Sequence, residues 1–167
     1  MSLRLRVVEG PADLAQALAI RHEVFVREQL VPVEEERDAA DDSAVHVLAV
    51  LDGVPVGTGR LVVEPPDYLS VWGVPEGGPL GHLGRIAVLP AQRGTGVGAA
   101  LVVALEGLAR GEGLTTTVLS AQVSALAFYE RLGYAVVSGV FDDAGIPHRW
   151  MLRKVSAWPE EAPGSGT

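Results

Sequence analysis

Residues Leu83–Arg110 read LGRIAVLPAQRGTGVGAALVVALEGLAR. The apolar run Leu83 to Val88 predicts a central strand. Pro90 lacks an N–H and marks where pairing of that strand must stop. A glycine-rich turn follows, Arg93-Gly94-Thr95-Gly96-Val97-Gly98, and then a long apolar helix from Thr95 to about Arg110. The start of a helix carries four unpaired N–H groups and the positive end of the macrodipole. Glycines let the main chain approach a ligand closely, because no Cβ intervenes. Arg93 adds a cation with fork geometry. Together these make a socket for a pyrophosphate or another anion.

Three kinds of glycine-rich socket are in question. A phosphate-binding P-loop requires Gly-Lys-Ser/Thr, but Gly98 is followed by Ala99 and Ala100. A dinucleotide fingerprint fits better, as Gly94-x-Gly96-x-x-Ala99, yet it wants an acid at the end of the next strand. That strand ends Val118-Leu119-Ser120. The third kind holds the pyrophosphate arm of coenzyme A. Arg93-x-x-Gly96-x-Gly98 after an apolar strand resembles the signature of the GNAT superfamily of N-acetyltransferases. Gln122-Val-Ser-Ala-Leu-Ala-Phe-Tyr129-Glu-Arg-Leu-Gly133-Tyr134 is similar to the fourth helix of that family and the turn after it. Arg21-His-Glu-Val-Phe-Val-Arg-Glu-Gln29, the pair Asp41-Asp42 and Ala144-Gly-Ile-Pro-His148 resemble the ElaA-like branch. The resemblance covers about residues 3 to 154.

The resemblance implies an α/β fold whose mixed central sheet, flanked by helices, is splayed at strands 4 and 5. The pantetheine arm of the coenzyme then lies in the gap like an added strand. It implies acetyl-CoA as co-substrate, bound by Arg93, Gly94, Thr95, Gly96, Val97 and Gly98, and by main-chain groups of Ile86, Ala87 and Val88. Those groups also stabilise the oxyanion. Tyr129 is implied as the general acid, because a phenol is protonated at neutral pH and can hand its proton to a leaving thiolate. Read from the residues alone, Tyr129 is an aromatic packed under the sheet with its hydroxyl bonded to the main chain. Gln122 stands where many relatives carry an asparagine that contacts pantetheine; alternatively it starts a helix capped by Ser120.

A general base must take the proton of the amine, and Glu28, His46, His82 and His148 are candidates. Glu28 is placed first, on a helix that borders the acceptor cleft in this family. His46 lies among apolar residues and reads as a core histidine; His82 reads as loop. Arg21 interrupts an apolar helical face that carries Leu14, Leu18 and Phe25, and Arg60 shares a strand face with Val56, Thr58 and Val62. Buried arginines need an anion, from an acidic loop or from a substrate. Arg21, Phe25, Arg60 and His148 are the candidate acceptor-binding residues.

Composition bounds the rest. The 167 residues make one domain by length, assigned to residues 1–155, with 156–167 as a flexible Pro/Gly/Ser/Glu-rich tail. The net charge of −8 argues against a nonspecific nucleic-acid binder and is compatible with cationic substrates. There is no cysteine, hence no thiol nucleophile and no disulfide framework. A direct attack within a ternary complex is expected, with a small-molecule or peptide amine as acceptor. The alternative is a non-catalytic acyl-CoA-binding sensor or regulatory module. The histidines lack metal-site spacing, so no metal is expected. No signal core or membrane span is apparent, which makes the cytoplasm the default. A homodimer is common in the family.

Along the chain the expected order is β-α-β-β-β-α-β-α-β-β. Strands are expected at Leu3–Val8, Ala44–Leu51, Val54–Val63, Leu83–Val88, Thr115–Leu119, Tyr134–Val140 and His148–Lys154. The first helix is expected to run to Val31-Pro32, Glu34–Asp42 to be an acidic loop, and Glu64–Gly81 to be an irregular insertion that is either a surface excursion or a wall of the acceptor site. Asp52-Gly53 is a hairpin turn, and Gln122–Leu132 is a helix closed by Gly133.

Overall fold

The Asp52-Gly53 turn takes positive φ at both residues, 49° and 83°, as a tight hairpin requires. It joins strand β2 (Val45–Leu51) to β3 (Val54–Glu64) in the computed structural model, which describes residues 2–74 and 77–155. β1 (Leu3–Val7) pairs with the outer edge of β2, and β4 (Leu80–Val88) runs antiparallel to β3. The chain then crosses through helix α3 (Val97–Gly111) to β5 (Thr116–Gln122), parallel to β4. β8 (Ile146–Lys154) lies antiparallel beside β5 and pairs with the short strands β6 (Ala135–Val136) and β7 (Phe141–Asp143). Among the described residues the sheet has eight strands, in the order β1-β2-β3-β4-β5-β8-β6 with β7 on β8.

One face packs on α3 and α4 (Leu126–Arg131). Leu61, Leu83, Leu119 and Met151 from four successive strands meet Leu101, Val102, Leu105 and Ala109 of α3. Each fully buried side chain of this size contributes about 1.5–3 kcal/mol of burial. Close approach is possible because β3 presents no side chain at Gly57 or Gly59. A Cβ at Gly59 would stand 2.9 Å from Leu105 Cδ1, so a substitution there forces the Leu105 side chain to shift. The opposite face carries a smaller cluster, in which Ala17 and Ile20 of helix α1 (Gly10–Arg21) pack on Leu48 and Ala87.

The feature that positions the site is a split. β4 and β5 are in register only at Gly81↔Thr117 and His82↔Val118. Beyond that point β4 runs on to Val88 and β5 to Gln122 without pairing with each other. β4 bends there through a bulge: Arg85 and Ile86 together oppose Gly59, between the pairs Thr58↔Ala87 and Arg60↔Gly84, and Arg85 sits at φ 50°. An extra residue on one strand kinks it and ends regular pairing. The splay at strands 4 and 5 is therefore observed.

Several boundaries depart from expectation. α1 stops at Arg21 and is continued by a wider, π-helical turn over His22–Glu28, closed by Gln29 N–H donating to Val24 O at 3.1 Å. The acidic segment is not a plain loop: it holds α2 (Val33–Glu36) and a 3₁₀ turn, Ala39–Asp42. β4 begins at Leu80, which places His82 inside a strand. The insertion shrinks to 65–79 and is anchored by Leu69, buried against Leu80 and Val118. The strand expected over Tyr134–Val140 is reduced to Ala135–Val136. The tail at 156–167 lies outside the described residues.

Candidate active site

Strand register dictates what faces the split. Paired residues share a face, and that face repeats every second residue. Arg60, Val62 and Glu64 of β3 therefore stand beside Gly84, His82 and Leu80 of β4. Gln122, Ser120 and Val118 of β5 stand beside His148, Trp150 and Leu152 of β8. Between the two sets opens a cleft of about 590 Å³, with the turn at Arg93 beyond the end of β4 at one end and the fork at His82 at the other; Tyr68, Tyr129 and Trp150 line it.

At the first end lies the glycine turn. Gly94 and Gly96 hold positive φ, 77° and 91°, and an added Cβ at either would meet nothing within 4 Å. Gly96 caps α3, and Ala100 N–H is the first to bond back, to Gly96 O at 3.0 Å. The amides of Val97, Gly98 and Ala99 are thus those that a helix start leaves open. Gly98 has a packing reason as well: its missing Cβ would stand 3.3 Å from Phe128 Cζ. Thr95 Oγ1 donates to Gln92 O and ties the turn down. Arg93 Nε donates to Val88 O at 3.1 Å.

The guanidinium of Arg93 is not free. It grips Glu28 with two bonds of 2.5 and 2.6 Å. One residue on, Gln29 Oε1 accepts from Gln122 Nε2 at 2.9 Å. The segment after α1 therefore straddles the split, clasped to the turn after β4 on one side and to the end of β5 on the other. Glu28, expected as a base, is here the partner of Arg93. Hydrogen bonding to Arg93 holds its carboxyl below the usual range, and a carboxylate so stabilised is a weaker proton acceptor.

Arg21, expected among the acceptor-binding residues, lies outside the cleft wall. Its side chain is 1% exposed and donates to Glu36 at 2.6 and 3.0 Å, to Asp41 at 2.7 and 3.1 Å and to Glu36 O at 3.0 Å. With its donors engaged it braces α1 against the acidic segment and has no part in the wall of the cleft. Arg60 does line the cleft, but Asp38 grips it at 2.7 and 2.9 Å and Asp41 at 2.7 Å. Burial pulls both guanidiniums down, and their carboxylate partners outweigh it. Arg85 leans on Glu36 O at 3.0 Å and on Asp38 at 3.3 Å. Phe25 lines the cleft beside Val24. His148 lines it too, with Nδ1 2.7 Å from Ile146 O and its ring stacked on Phe141.

Tyr129 packs edge-on against Phe128 and Tyr134. Its hydroxyl meets no hydrogen-bonding partner among the described residues, and burial pushes it up to about 12. The phenol is therefore fully protonated at neutral pH. Ser120 does not cap the next helix; it lies within β5, and its buried hydroxyl is unpartnered among the described residues. An orphaned buried donor facing a split strand edge, open amides at a helix start and a guanidinium beside them suit a long chain with amide groups and a diphosphate. Among the described residues, no three His, Cys, Asp or Glu are grouped to hold a metal ion. No helix there is long and apolar enough to cross a membrane.

Sequence reading missed Glu64, Tyr68 and Trp150. Tyr68 lies in the insertion, and the faces of Glu64 and Trp150 depend on registers that the sequence does not display.

Comparison with known proteins agrees with this geometry. Residues 13–134 match the model of the acetyltransferase (GNAT) family. A Bacillus subtilis (strain 168) protein named uncharacterized N-acetyltransferase YjcF is 38% identical over 148 residues, covering 88% of this chain and 96% of its own length. The crystal structure of an acyl-CoA N-acyltransferase from Pseudomonas aeruginosa superimposes with a TM-score of 0.74 at 31% identity, over 91% of this chain and 99% of that one. Escherichia coli ElaA gives 0.73 at 25% identity, over 92% and 100%. The split strands, the glycine turn at the start of α3 and these matches together establish that the chain belongs to the GNAT family of acetyltransferases.

Proposed function

We propose that the protein moves an acetyl group from acetyl-CoA to a primary amine of a small molecule or peptide, by direct attack within a ternary complex. The observation that carries this reading is the split between β4 and β5, which opens directly onto the amides before Ala100. The names N-acetyltransferase and acyl-CoA N-acyltransferase carried by relatives support it. When bound, the coenzyme supplies a thioester-activated acyl group. The amides of Gly94 to Ala99 and Arg93 hold its diphosphate, and the unpaired edge of β4 from Ile86 to Val88 binds and orients the arm and donates to the carbonyl oxygen. Gln122 and Ser120 offer hydrogen bonds from the opposite bank. Tyr129, protonated and unbonded, holds the proton that the departing sulfur needs.

Val88 O and Glu28 take three of the five N–H groups of Arg93, and the other two remain for a diphosphate. Calorimetric titration with acetyl-CoA, CoA and NAD, followed by thiol release against a panel of primary amines, tests the reading. Binding of acetyl-CoA with amine-dependent thiol release is expected. Preference for NAD would overturn it. Binding with no release by any amine would favour a sensor module.

A further inference from the structure

The end of the cleft away from the glycine turn carries a second arrangement that the proposed reaction has not yet used. His82 is the last residue of β4 in register with β5, so its side chain stands at the fork of the split. Its Nδ1 lies 3.1 Å from Glu64 Oε1 on the neighbouring strand. A carboxylate only accepts, so Nδ1 carries the hydrogen, and in the neutral ring Nε2 presents its lone pair. No described residue hydrogen-bonds Nε2. The ring leans along β4 toward the bulge: a Cβ on Gly84 would meet Nε2 at 3.8 Å. It is held from the sides by Tyr68 and Trp150, with ring centroids 5.5 and 5.3 Å away. At 17% exposure it is shielded but reachable.

We propose that this end is the acceptor site, that it takes a primary amine arriving as an ammonium cation, and that the Glu64–His82 pair removes its proton. The inference rests on the acetyl-transfer reading above. Three observations carry it. Glu28 is engaged by Arg93, and His46 is turned to Asp41 O at 3.0 Å, away from the cleft wall. His148 has only a main-chain carbonyl on Nδ1, whereas the carboxylate on His82 stabilises the imidazolium that proton uptake creates. The acids lining the cleft, Glu35, Glu36, Asp38, Glu64 and Asp143, outnumber the arginines Arg60, Arg85 and Arg93. That field draws cations in.

The ammonium gives one proton to His82 Nε2, from which it passes to solvent. The neutral nitrogen attacks the thioester carbon; the C–N bond forms as the carbonyl π pair moves to oxygen. When that pair returns, the C–S bond breaks and its electrons leave on sulfur, which takes the phenolic proton of Tyr129. The remaining surplus proton on nitrogen restores the phenol. The products are one amide, one free thiol and one proton.

The test is the pH profile of kcat/KM for thiol release, with the best amine of the panel, in the wild type, His82→Gln, His82→Ala and Glu64→Gln. The charged and titratable groups that line the cleft around His82 include Glu64, Tyr68, Arg60, Asp38 and Asp143, so the limb must be assigned by variant. Wild-type activity should rise with pH through a limb that His82→Gln abolishes, together with a loss of about 100-fold or more. Glu64→Gln should lose about tenfold and shift that limb, and added imidazole should restore part of the His82→Ala activity. Acetyl-CoA affinity should stay within about threefold throughout. An unchanged profile in His82→Gln with coenzyme binding intact overturns the dyad and leaves the transferase reading standing. Absence of acetyl-CoA binding by the wild type overturns both.

Discussion

Two side chains carry the sharpest predictions at the scale of the residue. Tyr129 presents a hydroxyl bonded to nothing described and kept protonated by burial. Tyr129→Phe should lower kcat by about 100-fold while leaving acetyl-CoA affinity within about threefold, measured by steady-state thiol release and calorimetry. Equal turnover would remove its role as acid. Glu28 is the counter-ion of Arg93, so it competes with a diphosphate for the same guanidinium. Glu28→Gln should tighten acetyl-CoA binding several-fold and keep turnover within about threefold; a loss of 100-fold would restore Glu28 as the base. Tyr129 was legible because it follows Gln122 at helical spacing in a segment with a family likeness. In the sequence His82 is only one of four candidate bases and reads as loop. Pro79, Gly78 and Gly81 made its neighbourhood read as loop, and its partner Glu64 lies across a hairpin whose register a sequence does not show.

The element that most repays study is the buried charge network. Arg21 from α1, Glu36 from α2, Asp41 from the following turn and Arg60 from β3 interlock, with Asp38 and Arg85 at the rim. Arg21→Met leaves Glu36, 4% exposed, without its cation. Loss of one partner of a buried pair costs about 3–5 kcal/mol, and urea denaturation should show a loss of that size. A loss under about 1 kcal/mol would mean that the network is solvated. The strand–turn–helix over Leu83–Arg110 was readable because each local signal agreed: an apolar run, a proline, positive-φ glycines and a helical apolar face. The acidic segment was not. Its many carboxylates look solvated one by one, and only the folded chain brings Arg21 and Arg60 to them. Nor does any residue pattern announce the π-helical turn after Arg21.

At the scale of the whole molecule, the pairing of carboxylates with arginines makes stability depend on acid. Burial pushes Asp41 up, but Arg21 and Arg60 outweigh it and hold it far below its ordinary value; Arg60 depresses Asp38 as well. A depressed carboxyl contributes its full stability above the unfolded pKa, about 3.9, and loses it as pH falls through the folded value. Unfolding free energy should therefore fall steeply below about pH 4. In Asp41→Asn it should be lower at pH 7 and flatter below pH 4, by urea denaturation at pH 7 and pH 3. Parallel slopes in the two proteins would dismiss the linkage. The splayed sheet was legible only through family likeness; its physical cause, the bulge at Arg85, emerges from the β3–β4 register. The most direct measurement is an amide NMR titration of the ¹⁵N-labelled protein with acetyl-CoA. The account requires the largest shifts at Gly94, Gly96, Val97, Gly98 and Ala99 and along Leu83–Val88. Saturable binding that leaves those amides unmoved would contradict it.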